Sequence, residues 1–129
     1  MTLLEDGDGE KFWKHEMNID SVPITICTDD KEPEAEQLIS NFINKIESIW
    51  GELYSTLESG FKDYGHIDEF PPKNFFLNLL RMTPEFYQGD KSDLLIRFEF
   101  DVEDFSDKLP FYDFYINNNY KIVHHQPVF

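Results

Sequence analysis

The chain has 129 residues, the length of one ordinary domain. Its 26 Asp and Glu against 11 Lys and Arg leave a net charge of −15. That balance argues against nucleic acid and anionic membrane surfaces as partners, because both call for a cationic footprint. An apolar content of 40% with 13 Phe is too rich for a disordered acidic chain, so the body should fold.

Residues 1–10 end in Glu-Asp-Gly-Asp-Gly-Glu and read as a flexible lead-in. They show neither a basic n-region nor an apolar h-region, so no signal peptide is expected. No apolar run approaches the roughly 20 residues that span a bilayer, and a cytosolic location is expected. Residues 12–17 suit a first strand anchored by Trp13. In the next stretch Val22, Ile24 and Ile26 alternate with Pro23, Thr25 and Cys27, the period-2 pattern of a strand. Cys27 is the single cysteine, so no intramolecular disulfide is possible, and its apolar neighbours point to a structural thiol.

A long amphipathic helix follows. Glu32-Pro33 offers a cap with Pro at the first helical position. Asp29, Asp30, Glu34 and Glu36 crowd the positive end of the helix dipole. Apolar residues recur from Ala35 through Leu38, Phe42, Ile46, Trp50 and Leu53 to Leu57, one stripe at helical spacing. Gly51 falls on the polar side, and Gly60 is expected to end the helix as a left-handed residue.

Residues 66–73 read as a loop punctuated by Pro71-Pro72. Residues 74–80 fit either a helical turn or a buried strand; a short turn of helix running into a strand at about 78–88 is expected. Gly89-Asp90-Lys91-Ser92 is a turn. Residues 94–103 alternate most clearly: Leu94, Ile96, Phe98, Phe100 and Val102 point one way, and Leu95, Arg97, Glu99, Asp101 and Glu103 the other. Residues 111–116 and 120–125 form a hairpin around Asn117-Asn118-Asn119. The predicted fold is a single α+β domain over residues 1–129. Its order is ββα and then a four-strand meander, with a mostly antiparallel sheet and the helix packed on one face.

Chemistry is sparse. His124 and His125 are neighbours on a strand, so they point to opposite faces and cannot easily share an ion. No spaced His pair suggests a zinc site. The acidic loop after residue 100 lacks the turn Gly and terminal Glu of an EF-hand. There is no Gly-x-Ser-x-Gly, and Cys27 has no identifiable base. No catalytic residue, metal or cofactor is expected. The interaction reading has more behind it. Asp101, Glu103, Asp104 and Asp107 cluster after the best strand, and Asp113 and Tyr115 share one face of the next. Carboxylates beside an aromatic make a candidate partner-binding surface, in which aromatics anchor and charge steers.

The layout joins a Phe12-Trp13 strand, a β-branched strand over 22–28 and a long helix over 34–59. A Phe-bearing turn at Lys73-Asn74-Phe75-Phe76 and a closing meander ending Tyr120-Lys121-Ile122-Val123 complete it. It resembles the small immunity proteins that accompany contact-dependent or polymorphic bacterial toxins. The resemblance implies a protein that binds one cognate toxin domain and neutralises it, in keeping with the expected cytoplasmic location and lack of catalytic residues. A nuclease-like toxin presents a cationic face to its substrate, and an acidic protein can occupy that face. The alternative is a small enzyme or metal-dependent hydrolase using surface carboxylates, which requires a concave pocket with convergent acids and shifted pKa values.

Overall fold

The computed structural model describes residues 1–100 and 111–128, with Tyr87 described by its backbone alone. It is an α+β structure in which one long helix packs on a seven-stranded, mostly antiparallel sheet. The strands are β1 (Thr2–Glu5), β2 (Lys11–Ile19), β3 (Val22–Asp29), β4 (Phe75–Tyr87), β5 (Asp90–Glu99), β6 (Phe111–Ile116) and β7 (Ile122–Val128). They lie side by side in chain order.

The lead-in expected to be flexible supplies a strand. Leu3 and Leu4 pair with Trp13 and Phe12, and the Asp-Gly-Asp-Gly run makes the turn. The Asp6 carboxylate accepts the Asp8 and Glu10 N–H groups at 2.9 and 3.0 Å, fixing a tight hairpin. Between β2 and β3, Asp20 and Ser21 both hold positive φ, 51° and 67°, as a two-residue hairpin turn demands.

The meander is interrupted once. β3 and β4 are parallel, because the helix α1 (Ala35–Asp63) carries the chain back across the sheet before β4 begins. The 29 residues of α1 span about 43 Å. Its entry differs from the expected Glu32-Pro33 cap. Glu34 sits outside the helix at φ 54° and its carbonyl takes the first helical bond, from Leu38 at 2.8 Å. Arg81 of β4 fixes this turn, its backbone N–H donating to Glu32 and its Nε to the Pro33 carbonyl, both at 3.2 Å. The exit differs too. Gly60 is buried within the helix, and Gly65 at φ 79° is the left-handed residue. Gly65 and His66 donate to the carbonyls of Lys62 and Phe61, a Schellman ending.

Residues 74–80 contain no helical turn. Phe75, Leu77 and Leu79 are buried while Phe76, Asn78 and Leu80 face the other way, so β4 runs as strand from Phe75. It is a central strand with apolar residues on both faces, which hides the alternation. The core lies between sheet and helix. Ile39, Phe42, Ile46, Trp50, Leu53, Leu57 and Phe61 of α1 cover Ile26, Phe75, Leu77, Ile96, Phe98 and Phe114. The rings interlock edge to face: Trp50 meets Phe75 at 5.2 Å, and Phe98 meets Phe114 at 5.4 Å.

Candidate functional site

Of the six residues proposed for partner binding, Asp101, Glu103, Asp104 and Asp107 lie outside the described residues. Asp113 and Tyr115 do share the sheet face away from the helix, but they offer different things. Register places Lys14, Cys27, Asn78, Arg97, Asp113 and Gln126 in one row across that face. Asp113 is 2% exposed and both its oxygens are taken: Arg97 Nε donates to Oδ1 at 2.8 Å and Nη2 to Oδ2 at 2.9 Å. The Arg97 guanidinium also lies 5.3 Å over the Phe111 ring. Asp113 therefore holds an internal ion pair and adds no free carboxylate to the surface. Tyr115 is half-buried and accepts from Gln126 Nε2 at 3.1 Å, with the His124 ring 5.3 Å away. Burial first, and the Asp113 carboxylate second, hold its phenol above the ordinary value.

The acidic side chains that do converge come from the turn between β3 and α1. Hairpin pairing puts Trp13 opposite Thr28, so the indole stands beside the segment that leads into the helix. Its Nε1–H donates to Asp30 Oδ1 at 2.9 Å. Around it opens a cavity of about 560 Å³ walled by Trp13, Asp30, Glu32, Glu34, Glu36 and Gln37, with no Lys or Arg among its lining residues. Of the nearby cations, Lys31 pairs with Glu10 at 2.7 Å, and Arg81 braces the same turn, its Nε on the Pro33 carbonyl and its backbone N–H on Glu32, without lining the cavity. These acids are visible in the sequence, where Asp30, Glu34 and Glu36 read as partners of the helix dipole and Glu32 as part of the helix cap. Their meeting with Trp13 follows from the β2–β3 register.

A second cleft, of about 450 Å³, separates the last turns of α1 from β7. Ser55, Ser59, Gly60 and Asp63 form its helix wall, and Tyr112, His125 and Gln126 its sheet wall. The buried Tyr112 hydroxyl lies 2.8 Å from His125 Nδ1, and the two rings stack at 22° with centroids 5.9 Å apart. Burial, with Tyr64 and Asp63 adding to it, pushes the Tyr112 phenol up to about 12. Burial and then the neighbouring His124 push the His125 imidazole below its ordinary value. A phenol and a neutral imidazole can share one hydrogen bond at this distance, with the His125 tautomer setting which of the two donates. No spacing in the sequence joins Tyr112 to His125.

His124 and His125 do face opposite sides, His125 towards Tyr112 and His124 towards Tyr115. Among the described residues no group of three or more His, Cys, Asp or Glu is placed to hold a metal ion. Among the described residues no helix is long and apolar enough to cross a membrane. Comparison with known protein families, with curated proteins and with solved structures finds no match.

Proposed function

We propose that this chain is a protein-binding module that engages a basic partner, and that it acts as an immunity protein neutralising a cognate, nuclease-like toxin domain. The observation that carries the reading is the cavity beside Trp13, where Asp30, Glu32, Glu34 and Glu36 converge without a lysine or arginine in the lining. A guanidinium or ammonium group entering it meets carboxylates on its rim and the Trp13 indole at its wall, both of which attract a cation. The net charge of −15 supports the same reading, since it speeds encounter with a cationic surface and repels nucleic acid.

The test is co-purification of the tagged protein with the product of the adjacent gene, in low and high salt. The triple variant Glu32→Gln, Glu34→Gln, Glu36→Gln runs beside the native protein. A stoichiometric complex with a basic protein, weakened by salt and by the triple variant, is the expected result. A complex indifferent to both, or no complex at either salt, overturns the reading.

A further inference from the structure

Strand β7 closes the sheet, and among the described strands it pairs with β6 alone. Its first residue, Ile122, packs against the core, but around His125 the strand is exposed. On the helix side of β6, Tyr112 and Phe114 are 5% and 0% exposed, whereas His125, opposite Phe114 on the same side, is exposed. The space left over is the cleft between α1 and β7. Its helix wall is low there, because Ser55, Ser59 and Gly60 are small. An edge strand is a template for further pairing unless charges, proline or a cover block it. Residues Ile122–Val128 contain no Lys, Arg, Asp or Glu, in a chain that is 29% charged, and Pro127 is the one blocking residue. The opposite edge, β1, is four residues long and ends on Glu5.

A strand laid against β7 would lie about 4.8 Å from it, with alternate side chains on the helix side. Those side chains would enter the cleft beside His125, Tyr112 and Asp63. The charge around the cleft selects what enters. Asp63 lines it, the field of Glu52 reaches His125, and no Lys or Arg lines it. A second copy of this chain brings another −15 and is repelled; an extended segment bearing Lys or Arg is attracted.

We infer that β7 accepts an extended segment of a basic partner as an eighth strand, its cationic side chains entering the cleft between α1 and β7. The inference rests on the reading of the partner as basic. It adds a second contact surface at the edge of the sheet far from Trp13.

The probe is an alternating Arg-Val decapeptide, compared with the same peptide N-methylated at every second residue. N-methylation keeps the charge and removes the main-chain donors that strand addition needs. Binding to the full chain is measured by titration, and its location by amide hydrogen exchange. The expected result is slowed exchange along β7, affinity about tenfold lower for the methylated peptide, and weaker binding to Asp63→Asn. Equal affinity for the two peptides, or protection confined to other strands, overturns the strand inference. If that equal binding is lost in the Glu34→Gln, Glu36→Gln variant, the acidic cavity is the site and the basic-partner reading stands. Binding of neither peptide overturns both.

Discussion

Gly60 and Tyr112 are in contact across the helix–sheet boundary, so close that a Cβ on Gly60 would stand 2.9 Å from Tyr112 Cε2. Tyr112 cannot simply swing away, since it is 5% exposed, stacked on His125 and packed 5.2 Å from Phe114. Gly60→Ala gains helix propensity but forces this ring to move, and overpacking costs about 1–3 kcal/mol. A net loss of about 1 kcal/mol is expected on those figures. Gly51→Ala is the internal control. It lies exposed in the same helix with nothing within 4 Å of the added carbon, and should gain about 0.5–1 kcal/mol. Urea unfolding of the two variants should move the midpoint in opposite directions; a gain from both would show that Tyr112 yields freely.

The Arg97–Asp113 pair should be worth more than a surface ion pair, since the Asp113 side chain is 3% exposed. Breaking a fully buried pair costs about 3–5 kcal/mol, but Arg97 is a third exposed, so water screens part of the loss. Arg97→Met, which strands the carboxylate, should cost about 2 kcal/mol. Arg97→Met with Asp113→Leu should recover part of it, because no buried charge remains. A double-mutant cycle with no coupling would show that the pair contributes nothing.

Two titrations at the α1–β7 cleft have opposite signs. The folded state holds the Tyr112 phenol at about 12, above its ordinary value of 10.0. Its stabilising effect is therefore complete below pH 10 and declines as pH rises from 10 towards 12. His125 is held below its ordinary value of 6.5. The unfolded chain then takes up the proton first, so stability is complete above 6.5 and falls as pH drops below that value. Thermal unfolding of Tyr112→Phe should be less sensitive between pH 10 and 12 than the native protein, and that of His125→Gln less sensitive just below 6.5. The ultraviolet titration of Tyr112→Phe should lack the step near 12. A step that persists there belongs to another tyrosine.

What the sequence reveals depends on how many faces of an element are buried. Strand β5 has one wet face, so its alternation from Leu94 onward is plain. Strand β4 has apolar residues on both faces, so Phe75-Phe76 and Leu79-Leu80 read as well as helix as strand. The helix stripe is legible from Ala35 to Leu57, but its start is braced by Arg81 from far along the chain, and its end lies past Gly60, which packs on Tyr112 within the helix, at the left-handed Gly65. The order ββα and then a four-strand meander is legible, and a single parallel pairing, between β3 and β4, follows from placing the helix between them. The same distinction governs the sites. Asp113 looks like a surface acid until register places Arg97 opposite it. Asp30 and Glu34 look like dipole partners until the β2–β3 hairpin brings Trp13 beside them.

Trp13 gives the acidic cavity its own reporter. The protein has two tryptophans; Trp50 is 3% exposed in the core, whereas Trp13 stands half-buried at the cavity wall with its indole N–H on Asp30. A guanidinium seated there should change the Trp13 emission and leave Trp50 alone. Titration with an arginine-bearing partner should therefore give a fluorescence response that Trp13→Phe abolishes. A cation over an exposed aromatic is worth about 0.5–1 kcal/mol, so Trp13→Ala should weaken binding by about two- to fivefold. Glu34→Gln with Glu36→Gln should weaken it further at low salt. The deficit of that pair should shrink towards 1 M salt, where the screening length falls from about 8 Å to about 3 Å and the native protein loses the same attraction. A response that survives in Trp13→Phe, or an acid-variant deficit of equal size at both salts, would place the cation elsewhere on the surface.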